Sequence, residues 1–376
     1  ILPLDQGRSM AEIATALMPT MAGRLSDPEG LALAQRTMSA VPPDTYTQQE
    51  CWEIIQRSPA RERLTKRSRL TLQTILRGEH GIARRHFAAP EIARIFEQDS
   101  DALNAIFRDK APRLAGRALE AALRQASVVP AELDALLICT CTGYLCPGLT
   151  SYVAEQLDLR SDLVMQDLVG LGCGAALPLL RSGADVVAAH PRAVVACVAV
   201  EVCSAAFYLD DDPGVLVSAC LFSDGAAATV WRGTPGPSGL RAFDFRSLHL
   251  PVERDKLRFG HRDGKLRNLL DPSVPALAAS AVGRLWAARG PRPVAGVVCH
   301  PGGRDVLTAV APVVAPHTVD ASTTVLREHG NMSSPSVLFA LEEHLRTQGP
   351  PRGGDLWLTS FGAGFSAHSC RIGTAQ

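Results

Sequence analysis

The chain has 376 residues, of which 46% are hydrophobic, and its 38 basic residues balance its 38 acidic residues. This length and apolar content predict a sizeable core, in one large domain or two fused ones. The balanced charge gives no electrostatic footprint for nucleic acid, so we expect no nucleic-acid partner. No apolar run is long enough for a stable membrane span, and no cleavable leader is visible.

The ten cysteines are scattered along the chain, and several lie in apolar, strand-like runs. They show neither the spacing of a disulfide framework nor the paired C-x-x-C spacing of a metal site. We therefore expect reduced thiols, no metal site and a cytoplasmic location.

Residues 1–30 form an N-terminal extension, in which residues 10–18 have the pattern of an appended helix. From Leu31 onward, short runs rich in Val, Ala and Leu alternate with helical patterns. The clearest runs are Ala135–Cys139, 193–200 and Val294–Cys299. This alternation predicts an α/β fold with buried strands.

A Pro- and Gly-rich stretch at 233–239 divides the chain into parts at 31–232 and 240–376. The same stretch is also compatible with a loop inside one compact unit.

Cys173 lies in the segment Asp167-Leu-Val-Gly-Leu-Gly-Cys-Gly-Ala-Ala-Leu, where an apolar run stops at glycines and a small-residue helix begins. Such a strand-to-helix elbow exposes one side chain at the positive end of the helix, which favours a thiolate. An isolated cysteine is more often a small, packed hydrophobe. Two later motifs favour a nucleophile instead.

The first motif is an apolar strand that ends in His300-Pro-Gly-Gly, and the second is Gly330-Asn331-Met-Ser-Ser before a helical pattern. A histidine at a strand end and an asparagine at a helix start are both placed to project into a shared cleft. Alone, each is usually structural, and the asparagine is usually an N-cap. Their order behind a cysteine elbow is far more specific.

On these motifs the chain resembles the type III polyketide synthases, the chalcone synthase-like branch of the thiolase-fold condensing enzymes, and in particular bacterial members. The resemblance covers residues 31–376. His300-Pro-Gly-Gly and Gly330-Asn-Met-Ser-Ser are its most diagnostic pair. Further matching segments are Ala40–Gln48, Cys139–Gly143, Leu221–Ala228 and Ser360–Gly364.

The resemblance implies an α/β fold of layered αβαβα type with two similar halves. Residues 31–232 would carry Cys173, and residues 240–376 would carry His300 and Asn331. It also implies a homodimer and an acyltransferase that needs no cofactor, because its substrates are coenzyme A thioesters. Malonyl-CoA and an acyl-CoA starter are the expected substrates.

The expected reaction is a decarboxylative Claisen condensation. A Cys173 thiolate would accept an acyl group from a thioester, and an imidazolium at His300 would keep the thiolate ionised. His300 and the Asn331 amide would then donate hydrogen bonds to the enolate left when malonyl-CoA loses carbon dioxide.

The resemblance also assigns pocket and substrate-binding positions. Phe222 matches a gatekeeper aromatic, Asn268 aligns near a second gatekeeper that is usually Phe, and Ala363 stands where proline is usual between Gly362 and Gly364. Cys146 replaces a bulky Met that plant members reach across the dimer interface. The complete set of expected substrate-binding residues is Phe222, Thr142, Cys141, Cys146, Cys203, Ala206, Asn268, Ser333, Gly362 and Gly364.

Coenzyme A contacts are expected from Arg84, Arg85, Gly302 and Gly303. Paired arginines are more often a solvated face, so this expectation depends on the resemblance.

Small side chains at Thr142, Cys146, Cys203 and Ala206 predict space for an aliphatic starter. The first hypothesis is therefore a medium- or long-chain acyl-CoA starter, with an alkylpyrone or alkylresorcinol as product. Cys141 keeps a malonyl-primed alternative open, because an extra cavity thiol recurs in bacterial synthases that make tetrahydroxynaphthalene or a dihydroxyphenylacetyl thioester. Starter length, number of condensations and cyclisation mode are not readable from sequence.

Two alternatives come from other classes. A ketoacyl synthase III-like enzyme would take its extender from acyl carrier protein, and it predicts a basic docking patch near the tunnel. A noncatalytic thiolase-fold interaction protein would give no reason for Cys173, His300 and Asn331 to occur together.

Overall fold

The computed structural model describes residues 31–233 and 239–374, and for residues 31–36 it describes the backbone alone. The helix expected within residues 10–18 lies outside the described residues. In the described part, no helix combines the length and apolarity needed to cross a bilayer.

Thirteen strands and ten α-helices make up the described chain. The strands are β1 (Leu31–Ala40), β2 (Thr45–Thr47), β3 (Arg84–His86), β4 (Ala135–Cys139), β5 (Val164–Leu168), β6 (Val195–Glu201), β7 (Gly225–Arg232), β8 (Leu240–His249), β9 (Leu257–Arg262), β10 (Lys265–Leu270), β11 (Val294–Cys299), β12 (Asp355–Gly362) and β13 (Ser366–Thr374). The helices are α1 (Gln48–Arg57), α2 (Lys66–Arg77), α3 (Ser100–Ala126), α4 (Leu149–Gln156), α5 (Ala176–Ala189), α6 (Pro213–Leu221), α7 (Val274–Ala287), α8 (Arg304–Val310), α9 (Asp320–His329) and α10 (Ser336–Gln348).

The strand pairing repeats, although the sequence itself shows no clear repeat. In the first half, β4 pairs parallel with β6, which pairs antiparallel with β7, which pairs antiparallel with β1. In the second half, β11 pairs parallel with β12, which pairs antiparallel with β13, which pairs antiparallel with β8. The two halves are therefore similar, and β1 and β8 join them edge to edge.

Five layers follow from how the helices pack on these strands. The apolar helices α5 and α10 share one buried cluster that includes Leu180 and Leu338, and strands of both halves cover it. Helix α3 packs Leu119 on the outer face of the first half. Helices α7 and α8 pack on Trp357 of the second half. This αβαβα arrangement confirms the predicted fold.

The predicted strand at Ala135–Cys139 coincides with β4, and the one at Val294–Cys299 coincides with β11. Both are continuous apolar runs, which is the pattern of strands covered on both faces. The Pro- and Gly-rich stretch separates β7 of the first half from β8 of the second. The assignment of residues 31–232 and 240–376 as separate halves remains our proposal.

Candidate active site

The elbow predicted at Cys173 lies between β5 and α5. Gly170 and Gly172 adopt positive φ angles of 90° and 55°, which let the chain reverse without strain. Cys173 sits in a single 3₁₀ turn, Gly172–Gly174, and α5 begins at Ala176. The half-buried thiol therefore stands at the N-terminal, positive end of a helix.

His300 follows the last residue of β11 and is buried. Its backbone N–H donates to the carbonyl of Thr359 at 2.8 Å, and its ring meets the ring of Phe361 edge to face at 5.3 Å. Its Nδ1 atom has no hydrogen-bond partner among the described residues. The imidazole is thus held by packing and keeps hydrogen-bonding capacity for another group.

Asn331 follows Gly330, the residue that ends α9. Its Nδ2 donates to the Gly302 carbonyl at 3.2 Å, and its Oδ1 accepts from the Ser333 N–H at 2.8 Å. A primary amide carries two N–H donors, so one donor remains after the bond to Gly302. The fixed amide can therefore donate to a substrate oxygen.

Burial shifts the pKa values of Cys173 and His300 in the directions that favour their neutral forms. It raises the pKa of the Cys173 thiol to about 12, although the hydrogen bond from Ser333 Oγ to Sγ at 3.3 Å works in the opposite direction. Burial lowers the pKa of the His300 imidazole to about 3. These pKa directions oppose the thiolate–imidazolium pair expected from sequence. They favour a neutral thiol at Cys173 and a neutral imidazole at His300 before the reaction starts.

Cys173 lies on the walls of two cavities. The outer cavity, with a volume of about 430 Å³, is also lined by His300, Asn331, Gly302 and Gly303. The inner cavity has a volume of about 40 Å³. Phe222 borders both cavities, and its role as a gatekeeper stays a prediction.

Most of the expected pocket residues line the inner cavity with Cys173. They are Cys141, Thr142, Cys203, Ala206, Phe222, Asn268 and Ser333. Ser333 also joins two thiols, because its Oγ lies 3.3 Å from the Sγ atoms of both Cys141 and Cys173.

The glycines of the Ser360–Gly364 segment contribute backbone geometry. A Cβ atom on Gly362 would lie 2.4 Å from the backbone nitrogen of Gly174 and 2.9 Å from that of Cys173. Glycine at position 362 therefore lets β12 pack directly against the backbone of the elbow at Cys173. Ala363 lines the inner cavity, and Gly364 turns the chain with φ 125°.

Cys146 lines neither cavity of the single described chain, and its expected role across a dimer interface stays a prediction. It is exposed in the loop between β4 and α4. Gly143 packs so closely on the ring of Phe107 that a Cβ there would lie 2.4 Å from it. The chain runs outward from this contact to the exposed Tyr144 and Cys146.

Arg85 also differs from its expected role at a coenzyme A phosphate. Its side chain is buried, with Nε donating to Gln48 Oε1 at 2.9 Å and Nη1 donating to the carbonyls of Ala219 and Phe222 at 2.7 and 3.0 Å. Because its guanidinium holds the end of α6, it is not presented to a phosphate. Arg84 is the exposed member of the pair and contacts Glu328 at 3.4 Å.

Glu201, the last residue of β6, is a residue of the site that was not predicted from the sequence. This buried carboxylate accepts hydrogen bonds from Ser334 Oγ at 2.6 Å, Thr142 Oγ1 at 2.8 Å and the Cys141 N–H at 2.9 Å. Burial raises its pKa, and these donors lower it. The available signal was an acidic residue at the end of an apolar strand, because the position of His300 after a buried strand had already been read as a site position.

The β9–β10 hairpin was missed as a wall of the site. Leu257 and Phe259 from β9 line the inner cavity with Asn268, and Phe259 is paired with Asn268 across the hairpin. On β10, Arg267 contacts Asp210 at 2.6 Å and so ties the hairpin to the chain before α6. Polar residues along these strands gave no pattern that predicted a cavity wall.

Within residues 31–233 and 239–374, no group of three or more His, Cys, Asp or Glu side chains is arranged to hold a metal ion. Around the outer cavity the chain brings together a thiol, an imidazole and a primary amide. Such a site can carry out acyl transfer through a covalent thioester and can stabilise an enolate.

Comparison with known families agrees with this arrangement. Residues 42–235 match the model of the FAE1/type III polyketide synthase-like proteins. Residues 289–373 match the C-terminal model of 3-oxoacyl-[acyl-carrier-protein] synthase III.

The chain is similar to several bacterial synthases. The chain is 34% identical to a 3,5-dihydroxyphenylacetyl-CoA synthase of Amycolatopsis balhimycina, over 71% of this chain and 74% of the relative. It is 30% identical to a 1,3,6,8-tetrahydroxynaphthalene synthase of Streptomyces peucetius subsp. caesius, over 88% and 89% of the two chains.

The crystal structure of the tetrahydroxynaphthalene synthase of Streptomyces coelicolor A3(2) superimposes with a TM-score of 0.80 at 26% identity. The match covers 92% of this chain and 99% of that one. Together with the Cys173, His300 and Asn331 site, these similarities show that the chain belongs to the type III polyketide synthases, a family of acyltransferases.

Proposed function

We propose that the protein primes itself with malonyl-CoA and condenses further malonyl units into a small phenolic product. The observation that carries this proposal is the size of the inner cavity, about 40 Å³. Since one water needs about 10–15 Å³ on this measure, the cavity holds roughly three such groups. That space suits a short starter, and the named relatives make products of this kind.

The reaction begins at Cys173. Its proton passes to His300, and the thiolate attacks the malonyl thioester carbon while the coenzyme A sulfur leaves and takes that proton from His300. Burial lowers the pKa of His300, so the imidazole is neutral before the reaction and keeps one unprotonated ring nitrogen as the proton acceptor.

Extension then needs an enolate. A second malonyl-CoA loses carbon dioxide, and the electron pair of the broken carbon–carbon bond moves onto the thioester oxygen. The free N–H of Asn331 and the N–H of the neutral His300 imidazole donate to that oxygen. The enolate carbon attacks the acyl-Cys173 carbonyl, and the Cys173 sulfur leaves as the new carbon–carbon bond forms.

A medium- or long-chain acyl starter is the second candidate, and the apolar lining favours it. Phe207, Val215, Ala219 and Leu257 face the inner cavity. An alkyl starter there, like the growing chain of several malonyl units, would need the β9–β10 hairpin to move outward from its present position around a cavity of about 40 Å³.

Starter panels distinguish the two candidates. Purified protein would be incubated with labelled malonyl-CoA, alone or with acyl-CoA starters of increasing length, beside Cys173→Ala. Our proposal expects a Cys173-dependent phenolic from malonyl-CoA alone. Products whose mass follows the added starter, with none from malonyl-CoA alone, would favour the second candidate.

We further propose a homodimer in a reducing cytoplasm. Strand β5 ends the nine-stranded sheet with an unpaired edge, and Val164 and Met165 on it are exposed, as expected of a surface that pairs with a second copy. All ten cysteines are free thiols. Light scattering on Met165→Lys, which charges this edge, tests the dimer by its molar mass.

A further inference from the structure

The β9–β10 hairpin stands apart from the main sheet. Within the described chain, its two strands pair with each other and form no ladder with the nine-stranded sheet. A two-stranded hairpin is marginally stable by itself. Its position beside the inner cavity therefore depends on the side-chain contacts that it makes with neighbouring segments.

The hairpin has an inner face toward the cavity and an outer face away from it. Phe259 and Asn268 lie opposite each other in the ladder, so they share one face, and both line the inner cavity. Because side chains alternate along a strand, Arg267 lies on the other face of β10, and Arg262 lies on that face of β9 in this register. Neither arginine lines the inner or the outer cavity.

The two arginines contact two aspartates that precede α6, and we call Arg262, Arg267, Asp210 and Asp212 the latch. Arg267 Nε donates to Asp210 Oδ2 at 2.6 Å, and its Nη2 lies 3.4 Å from Asp212 Oδ2. Arg262 Nη1 lies 3.6 Å from Asp210 Oδ2. The side chains of Arg267 and Asp210 are only 19% and 17% exposed. Solvent and salt therefore screen this pair less than they screen an exposed pair.

The latch joins the hairpin to a second wall of the inner cavity. Asp212 caps α6 by accepting a hydrogen bond from the N–H of Gly214 at 2.8 Å. The same helix carries Ala219, which lines the inner cavity. A Cβ atom on Gly214 would lie 2.5 Å from the carbonyl oxygen of Leu270, so the first turn of α6 and the end of β10 are in close contact. The latch therefore ties the hairpin wall to the wall formed by α6.

We propose that Arg267 determines product length through the position of the hairpin. The inner cavity, at about 40 Å³, must widen as malonyl units are added. A growing chain displaces Phe259 and Asn268 outward, and the Arg267–Asp210 bond opposes that displacement. Arg267 lies outside both cavities, so it is a positioning residue and touches no reacting atom. The inference rests on the proposed function, because the chain whose length is limited grows from malonyl units on Cys173.

The test counts the malonyl units in the product. Wild type, Arg267→Met and Asp210→Asn would be incubated with malonyl-CoA alone, and the product masses and the rate of malonyl-CoA decarboxylation would be measured. Arg267→Lys, which keeps the charge, is the conservative variant. Arg246→Met is the matched control, because Arg246 donates to the 16% exposed Asp244 at 2.7 Å and neither residue lines a cavity at Cys173.

We expect the ratio of longer products to products of wild-type length to rise about tenfold in Arg267→Met and in Asp210→Asn, because one charge-assisted hydrogen bond shifts a two-state equilibrium by this order. Decarboxylation should stay within about twofold, since the latch contacts neither the thiol nor the donors to the enolate. Arg267→Lys and Arg246→Met should keep the wild-type length. In a Phe259→Ala background, Arg267→Met should add little, because both changes act on one wall.

Unchanged product length in both Arg267→Met and Asp210→Asn would overturn the latch proposal, and so would an equal shift in Arg246→Met. A loss of decarboxylation in parallel with product would also overturn it, because the latch would then support the whole site and not product length. If wild type makes nothing from malonyl-CoA alone, the proposed function fails instead. The same variants given an acyl-CoA starter would still test the latch by the number of added units, so the two failures are distinguishable.

Discussion

Phe222 and Asn331 are joined by a short parallel β-bridge. The Asn331 N–H donates to the carbonyl of Leu221 at 3.1 Å, and the Asn331 carbonyl accepts from the N–H of Ser223 at 2.9 Å. These backbone bonds bracket the aromatic residue that borders both cavities. The backbones of Asn331 and Phe222 are therefore fixed relative to each other beside the two cavities.

Asn331→Ala should reduce decarboxylation without disturbing the fold. The backbone bridge to Phe222 does not need the side chain, while the donor to the enolate is lost. We expect malonyl-CoA decarboxylation to fall about 10²–10³-fold. Release of labelled carbon dioxide measures this, with Asn104→Ala on the exposed side of α3 as control. An unchanged decarboxylation rate in Asn331→Ala would remove the amide from the mechanism.

Alkylation of Cys173 should depend steeply on pH. Because burial raises the pKa of this thiol to about 12, the thiolate fraction increases about tenfold per pH unit below that value. We expect the rate of alkylation by iodoacetamide to follow this slope from about pH 6.5 to about pH 9. Mass spectrometry of the Cys173 peptide measures it. A flat profile would show a preformed thiolate–imidazolium pair.

Substitution by methionine should lower the unfolding free energy much more at Arg85 than at the adjacent Arg84. Arg85→Met leaves the carbonyls of Ala219 and Phe222 without their buried donor, so we expect a loss of about 3 kcal/mol in unfolding free energy. Arg84→Met, at a 54% exposed side chain, should cost under about 1 kcal/mol. Urea unfolding measures both. Similar stability losses for the two variants would contradict the buried clamp.

Phe259→Ala should widen the inner cavity and broaden starter use. Phe259 faces Asn268 across the hairpin, and both side chains limit the space beyond Cys173. We expect longer acyl-CoA starters to be extended, with decarboxylation unchanged, as product masses would report. Phe245→Ala on β8, which lines neither of the two cavities at Cys173, is the control. Unchanged starter use in Phe259→Ala would show that the hairpin does not set the size limit.

Sequence reasoning worked where local pattern decides the structure. Continuous apolar runs fixed β4 and β11, and the glycines before Cys173 predicted the elbow, because the backbone there needs residues that accept positive φ. His300 and Asn331 follow elements whose ends are marked by glycine or proline. Their motifs therefore placed both side chains on one cavity.

The features that the sequence did not predict depend on contacts between residues far apart in the chain. Arg84 and Arg85 are the same residue type, so the sequence does not distinguish them. Strand alternation in β3 directs the Arg84 side chain to solvent and the Arg85 side chain into the core beside α6. Cavity size depends on how the β9–β10 hairpin closes over Cys173, which Arg267 and Asp210 help to set across 57 residues. Small side chains at Cys203 and Ala206 therefore predicted more space than the assembled walls leave.

The central claim is that every carbon of the product comes from malonyl-CoA. The most direct measurement incubates the purified protein with malonyl-CoA labelled with carbon-13 throughout its malonyl group, in a mixture of unlabelled acyl-CoA starters, and records the product by mass spectrometry. We predict a product that is labelled at every carbon of its polyketide part, outside any retained coenzyme A, and that is absent with Cys173→Ala. A product with an unlabelled acyl segment would contradict malonyl priming.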